Sequence, residues 1–183
     1  MRWFPWVVTL VGCTSADGGA VDAIEGIDAA ADAVDASAAE PCAERPGLVW
    51  HRGRKTTYTS YPEPGSEECV DYSGCDYQGL FAACTRTMPE TWVAAHDLVA
   101  LFPLGELALH DLCLRSGDRS MRVTVVDTCA DTDCDGCCSE NRGDADALVD
   151  IESYTNARWG LDDGPLEWAD LGPHPDPGFD GCR

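Results

Sequence analysis

The sequence predicts an all-β fold, a small barrel or sandwich, and three observations carry that prediction. Short stretches alternate apolar and polar residues with period two, most clearly Arg119 to Cys129, RSMRVTVVDTC. Clusters of Gly, Pro, Asp and Ser separate these stretches. Only one segment, opened by Ser153 and stopped by Gly160, carries both helix-start and helix-stop signals.

The elements follow in order. Cys42 opens the folded domain, and Pro46-Gly47 makes a turn before the Thr- and Tyr-rich strand Trp50 to Tyr61. Pro62-Glu63-Pro64-Gly65 ends that strand, and residues 63–90 form a long loop carrying Cys69, Cys75 and Cys84. A loop of that length in a compact domain needs pinning, which disulfides supply. A short strand over Thr91 to Ala95 runs into His96, and Leu98 to Phe102 is apolar up to Pro103-Leu104-Gly105. Glu106 to Leu114 is the next strand, and Ser116-Gly117-Asp118 turns the chain into the strand that ends on Asp127. Leu148 to Ile151 is a further apolar segment, holding the carboxylate Asp150, and Pro165 to Leu171 is the last strand before a Pro/Gly/Asp tail.

Asp127 shares the parity of Met121, Val123 and Val125, so alternation turns it to the core side at the strand's end. Two readings of it stay open: a site carboxylate at the mouth of the fold, or a structural acid capping the turn into Cys129. Asp127 and Asp150 form a natural pair for glycosidic chemistry, since each sits toward the end of an apolar strand where partial burial raises a carboxyl pKa.

The chain of 183 residues carries a formal charge of −21, which excludes nucleic acid as a partner because phosphate binding needs a basic face. Residues 1–41 hold seven of the 33 acids and one of the 12 bases, so residues 42–183 remain strongly acidic with 26 acids against 11 bases. Eleven cysteines point to an oxidising compartment. The N-terminus explains the odd count. Met1-Arg2, an apolar run over Trp3 to Val11 and then Gly12-Cys13 resemble a bacterial lipobox, with residues 1–12 the signal peptide and Cys13 the lipidated residue. Ten cysteines are then left to pair. Residues 13–41 read as an anchored cysteine and a disordered Ala/Asp-rich tether, and residues 42–183 as the folded domain. Thr14 after the cysteine favours the outer membrane, by resemblance to Gram-negative sorting.

Asp131, Asp133, Asp135 and Gly136 have the spacing that opens a calcium loop, but Arg142 stands where the bidentate Glu belongs. A solvated acidic loop is the default reading. The spacing C-x4-C-x2-CC over Cys129, Cys134, Cys137 and Cys138 also invites zinc, which export and the even count set behind disulfides.

Four segments carry a family resemblance. GRKTTYTSY at 53–61, VAAHDLVALFPLGE at 93–106, MRVTVVDTC at 121–129 and LVDIESYTNARWG at 148–160, with GPLEWADL closing at 164–171, resemble in order the double-psi β-barrel of the rare lipoprotein A (septal lytic transglycosylase) and expansin group. The resemblance implies a six-stranded, disulfide-rich double-psi barrel with one short helix. It also implies wall-polysaccharide binding, peptidoglycan above all, with no cofactor. Two versions of the site follow from it: transglycosylation with Asp127 as acid and His96 in support, or non-hydrolytic loosening by Asp127 and Asp150 with the first-strand aromatics Tyr58 and Tyr61. Glu152 departs from the family by standing where a Ser is usual, and the cysteine insert after Asp127 replaces an Arg-Gly-Pro turn. A protein-binding or protease-inhibiting module of the barwin type is the alternative from another class.

Overall fold

A computed structural model describes residues 42–182, apart from Ser73 and Gly178. The expected signal segment, Cys13 and the tether lie outside the described residues. No helix among the described residues is long and apolar enough to cross a membrane.

Six strands close into a barrel: β1 (His51–Tyr58), β2 (Leu98–Phe102), β3 (His110–Ser116), β4 (Arg119–Asp127), β5 (Ala147–Glu152) and β6 (Gly164–Pro173). Around the ring the order is β1-β5-β2-β4-β3-β6. β1 and β5 pair in parallel, as do β2 and β4, and every other junction is antiparallel. Two interlocked parallel pairs in a closed ring of six make this the expected double-psi barrel.

The interior is filled by alternate residues of every strand, among them Val99, Leu101, Leu112, Leu114, Val123, Val125, Val149, Ile151, Leu166 and Trp168. Gly53 is required here, because a Cβ at that position would stand 2.5 Å from Leu166 Cδ1. A second apolar layer covers part of the outer surface, with Leu98 and Val126 meeting Phe81, Met88, Val93 and Phe179. β2 is thus buried on both faces, which is why LVALF reads as a continuous apolar run rather than an alternation.

Four short α-helices decorate the ring: α1 (Glu67–Val70), α2 (Glu90–Ala95), α3 (Cys137–Arg142) and α4 (Ser153–Trp159). The strand expected over Thr91 to Ala95 is instead α2, since Pro89 presets an extended N-cap and Glu90 suits a first turn. The strand expected from Glu106 starts only at His110, because Leu109 takes a left-handed φ of 58° and two turns close over 104–110. The first strand stops at Tyr58 rather than Tyr61. The helix expected after Ser153 is present, but Glu152 is its cap, accepting from Tyr154 N at 2.6 Å.

All ten described cysteines pair. Cys42–Cys113 ties the domain's start to β3, Cys69–Cys75 pins the long loop, and Cys84–Cys182 joins that loop to the C-terminal tail. Cys129–Cys138 and Cys134–Cys137 hold the insert after β4.

Candidate functional site

Parity places Asp127 on the core side of β4, and the structure corrects this. Val99 of β2 pairs with Val125, but the next residue, Ala100, pairs with Asp127, so Val126 is an extra residue in the strand. Such a bulge breaks the alternation. Val126 joins the outer apolar layer, and Asp127 lands on the outer side with Ala100.

The register then assembles a row. Thr56 of β1 pairs with Asp150 of β5, Asp150 with Ala100 of β2, and Ala100 with Asp127 of β4. Two carboxylates therefore flank one alanine methyl, two strand spacings apart, or about 10 Å between backbones. Tyr58, two residues beyond Thr56 on the same side of β1, stands in the next row beside Glu152.

Asp127 and Tyr58 line a groove of about 430 Å³ with Ser60, Glu68, Tyr72 and Tyr77. Asp150 and Tyr58 line an adjoining one of about 350 Å³ with Thr56, Glu68, Tyr72 and Cys134. The two share Tyr58, Glu68, Tyr72, Thr128 and Asp133 and form one surface. Tyr72 and Tyr77 are 51% and 64% exposed, an open aromatic rim on the groove of the half-buried carboxylates.

The electrostatics distinguish the two acids. Burial pushes the Asp150 carboxyl up to about 7, aided by the negative charges of Glu68 and Asp163 and opposed by a 2.8 Å hydrogen bond from Thr56 Oγ1 and the charge of Lys55. Asp127 is also raised by burial, but backbone N–H groups of Ala82 and Thr128 pull it back. The Ala82 N–H reaches Asp127 Oδ1 at 3.0 Å and so docks the long loop onto β4. The Tyr58 phenol is driven well above its ordinary value, first by burial and then by the charges of Asp127, Asp150 and Glu152. Its Oη and the neighbouring Ser60 Oγ are both buried and neither completes a hydrogen bond of good geometry. The two hydroxyls face each other, and the Ser60 contact partly offsets the upward shift of the phenol.

His96 is held elsewhere. It stacks on Trp92 with centroids 4.3 Å apart, meets Phe179 edge-on, bonds Trp92 O through Nδ1 at 2.7 Å and lies 3.9 Å from Asp180 through Nε2. It is not among the residues lining the Tyr58 groove. His96 and Asp127, which the family resemblance pairs, do not line a common groove among the described residues, and His96 is engaged by Trp92 and the C-terminal tail. Tyr61 also leaves the groove: its hydroxyl donates to Met88 O and it packs under Gly79.

Asp131 gives both carboxylate oxygens to Ser139, N–H at 2.8 Å and Oγ at 2.5 Å, and so caps α3. Asp131, Asp133 and Asp135 do not gather around one point, so the calcium reading loses its geometry. The only cluster of at least three metal-type donors among the described residues is Cys129, Cys134, Cys137 and Cys138, with sulfurs within 4.8 Å of one another, held as the two disulfides.

Sequence reasoning missed Glu68, Tyr72 and Tyr77 on the rim. The available signal was a cluster of acids and aromatics inside a loop that cysteines pin. It also missed Asp111, 1% exposed, which takes hydrogen bonds from Thr124, His174 and Arg122 beneath the tail. Burial raises its pKa, and those bonds with the Arg122 charge more than reverse the shift.

The fold and groove define a disulfide-stapled double-psi barrel with an open acidic and aromatic surface on one side. No family model matches the chain, and no curated protein does. Among solved structures it is similar to an apo expansin from Clavibacter michiganensis, at 16% identity and a TM-score of 0.38, over 67% of this chain and 50% of that one. The chain spans half the length of that protein.

Proposed function

We propose that the barrel binds wall polysaccharide along the Tyr58 groove, with Asp150 as the residue that holds a proton near neutrality. One observation carries this reading: the row Thr56, Asp150, Ala100 and Asp127 lies on a groove with an exposed tyrosine rim. Sugars are bound by apolar faces on aromatic rings and by hydroxyls in hydrogen bonds to carboxylates, and this surface offers both. A protonated Asp150 donates and Asp127, which already accepts a backbone N–H, offers acceptor oxygens, which suits the mixed donors and acceptors of a sugar ring.

Loosening by binding fits the groove better than transglycosylation assisted by His96, since that histidine is packed under the tail. Peptidoglycan is the proposed polymer, and residues 1–41 are proposed as an export signal, lipidated Cys13 and tether that hold the barrel at the outer membrane.

Incubating the protein with peptidoglycan sacculi tests the reading. Co-sedimentation that Asp150→Asn weakens, with no anhydro-sugar ends by mass spectrometry, is expected. Anhydro ends would restore the lytic mechanism. Neither sedimentation nor release would end both glycan readings and favour the protein-binding alternative.

A further inference from the structure

β1 presents four residues outward in sequence: Arg52, Arg54, Thr56 and Tyr58. The last two belong to the Tyr58 groove. The first two open onto a separate groove of about 460 Å³ that also takes in Arg115 and Arg142. Four of the chain's 12 basic residues therefore meet at one place in a protein of charge −21.

Two of the four are neutralised locally. Arg115 Nε bonds Glu167 at 2.8 Å and its guanidinium lies over Trp50, while Arg52 is shared between Asp144 and Asp146. Arg54 differs for a reason of register. Its neighbours across the sheet are Leu148 on β5 and Pro165 on β6, neither of which bears a charge. Its side chain is exposed and makes no hydrogen bond or ion pair among the described residues. Arg142 lines the same groove, with its guanidinium 5.9 Å from the Phe102 ring centroid and its charge helping to keep Asp131 ionised. Two guanidinium groups on one groove, one of them without an ion-pair partner, form an arrangement suited to a carboxylate.

Arg54 and Tyr58 are four residues apart on one strand, about 13 Å. The grooves adjoin through α3 as well, where Asn141 lines the Asp150 side and Arg142 the basic side. We infer that Arg54 and Arg142 form a subsite for a carboxylate substituent carried by the glycan that lies along the outward row of β1. This inference rests on the glycan reading of the Tyr58 groove. It names the substrate class more narrowly: a polymer uncharged at the tyrosine and anionic a few sugar rings away. Peptide-bearing glycan strands and uronic-acid polymers share that chemistry.

Calorimetric titration of the full chain at low salt tests it with three probes: the neutral N-acetylglucosamine tetramer, a peptidoglycan strand fragment retaining its peptide carboxylates, and an oligogalacturonate. At least one carboxylated probe is expected to bind about tenfold more tightly than the tetramer. Which of the two does so identifies the source of the carboxylate. Arg54→Gln, at an exposed position, is expected to remove most of that excess and leave tetramer affinity within about twofold. Tetramer binding with no carboxylate preference, or a preference that Arg54→Gln leaves intact, overturns the subsite and spares the glycan groove. Failure of all three probes to bind brings down the glycan reading and the subsite with it.

Discussion

Asp150 is a carboxyl whose folded value, about 7, stands well above that of an aspartate in an unfolded chain. The native protein therefore binds a proton that the unfolded chain has released, and stability falls as pH rises from about 4 to about 7. Asp150→Asn removes that dependence. The variant is expected to match wild type in urea unfolding near pH 4 and to exceed it by on the order of 2 kcal/mol at pH 8, while losing glycan affinity. Parallel stability profiles for the two proteins would mean that Asp150 is ionised in the fold. Asp111 has the opposite sign. Its pKa is lowered, so its contribution is present above the unfolded value and lost as pH falls through the folded one. Asp111→Asn weakens the hydrogen bonds from Thr124, His174 and Arg122, whose guanidinium is half exposed, and is expected to cost about 1–2 kcal/mol by chemical denaturation at pH 7. Asp127 and Asp150 were both legible from sequence as carboxylates on apolar strands. Their facing was not, because a single extra residue at Val126 reverses the side on which Asp127 emerges. Nothing in TVVDTC distinguishes a bulged strand from a regular one.

At the scale of elements, strands with clear alternation or apolar runs were readable, and those whose ends depend on backbone geometry were not. β4, β5, β6 and LVALF follow from side-chain pattern. The start of β3 depends on the left-handed Leu109, and α2 on the cap at Pro89, so the run Thr91 to Ala95 reads as a strand when its neighbours make it a helix. The same dependence governs His96. Its position is set by the tail, through Phe179 and Asp180, and the tail is held by Cys84–Cys182. Replacing both of those cysteines by Ser opens a crosslink of sequence separation 98 and is expected to cost about 2–5 kcal/mol. Hydrogen exchange should quicken at α2 and the long loop before it does in the barrel. Uniform exchange across both layers would show that the tail is no separate unit. Gly53→Ala tests the barrel itself. The added methyl at 2.5 Å from Leu166 is expected to cost about 1–3 kcal/mol, read as a lower denaturation midpoint.

At the scale of the whole molecule, the charge and the cysteines argue for one environment. Five disulfides fasten the domain's start, long loop, insert and tail around a barrel that has only about 140 residues from which to build a core. Such staples form only where thiols are oxidised. With ten cysteines paired, the eleventh is Cys13, the residue on which the proposed lipid anchor rests. An anchored chain with 28 residues between Cys13 and Cys42 would keep the barrel within about 30 Å of the membrane if the tether behaves as a flexible coil. Cys13→Ser should then move the protein from the membrane fraction to the soluble fraction in cell fractionation, with all five disulfides still formed by thiol titration under denaturing conditions. Retention of the variant in the membrane fraction would count against lipidation. One free thiol in the wild-type chain would count against it independently, since an acylated Cys13 leaves none.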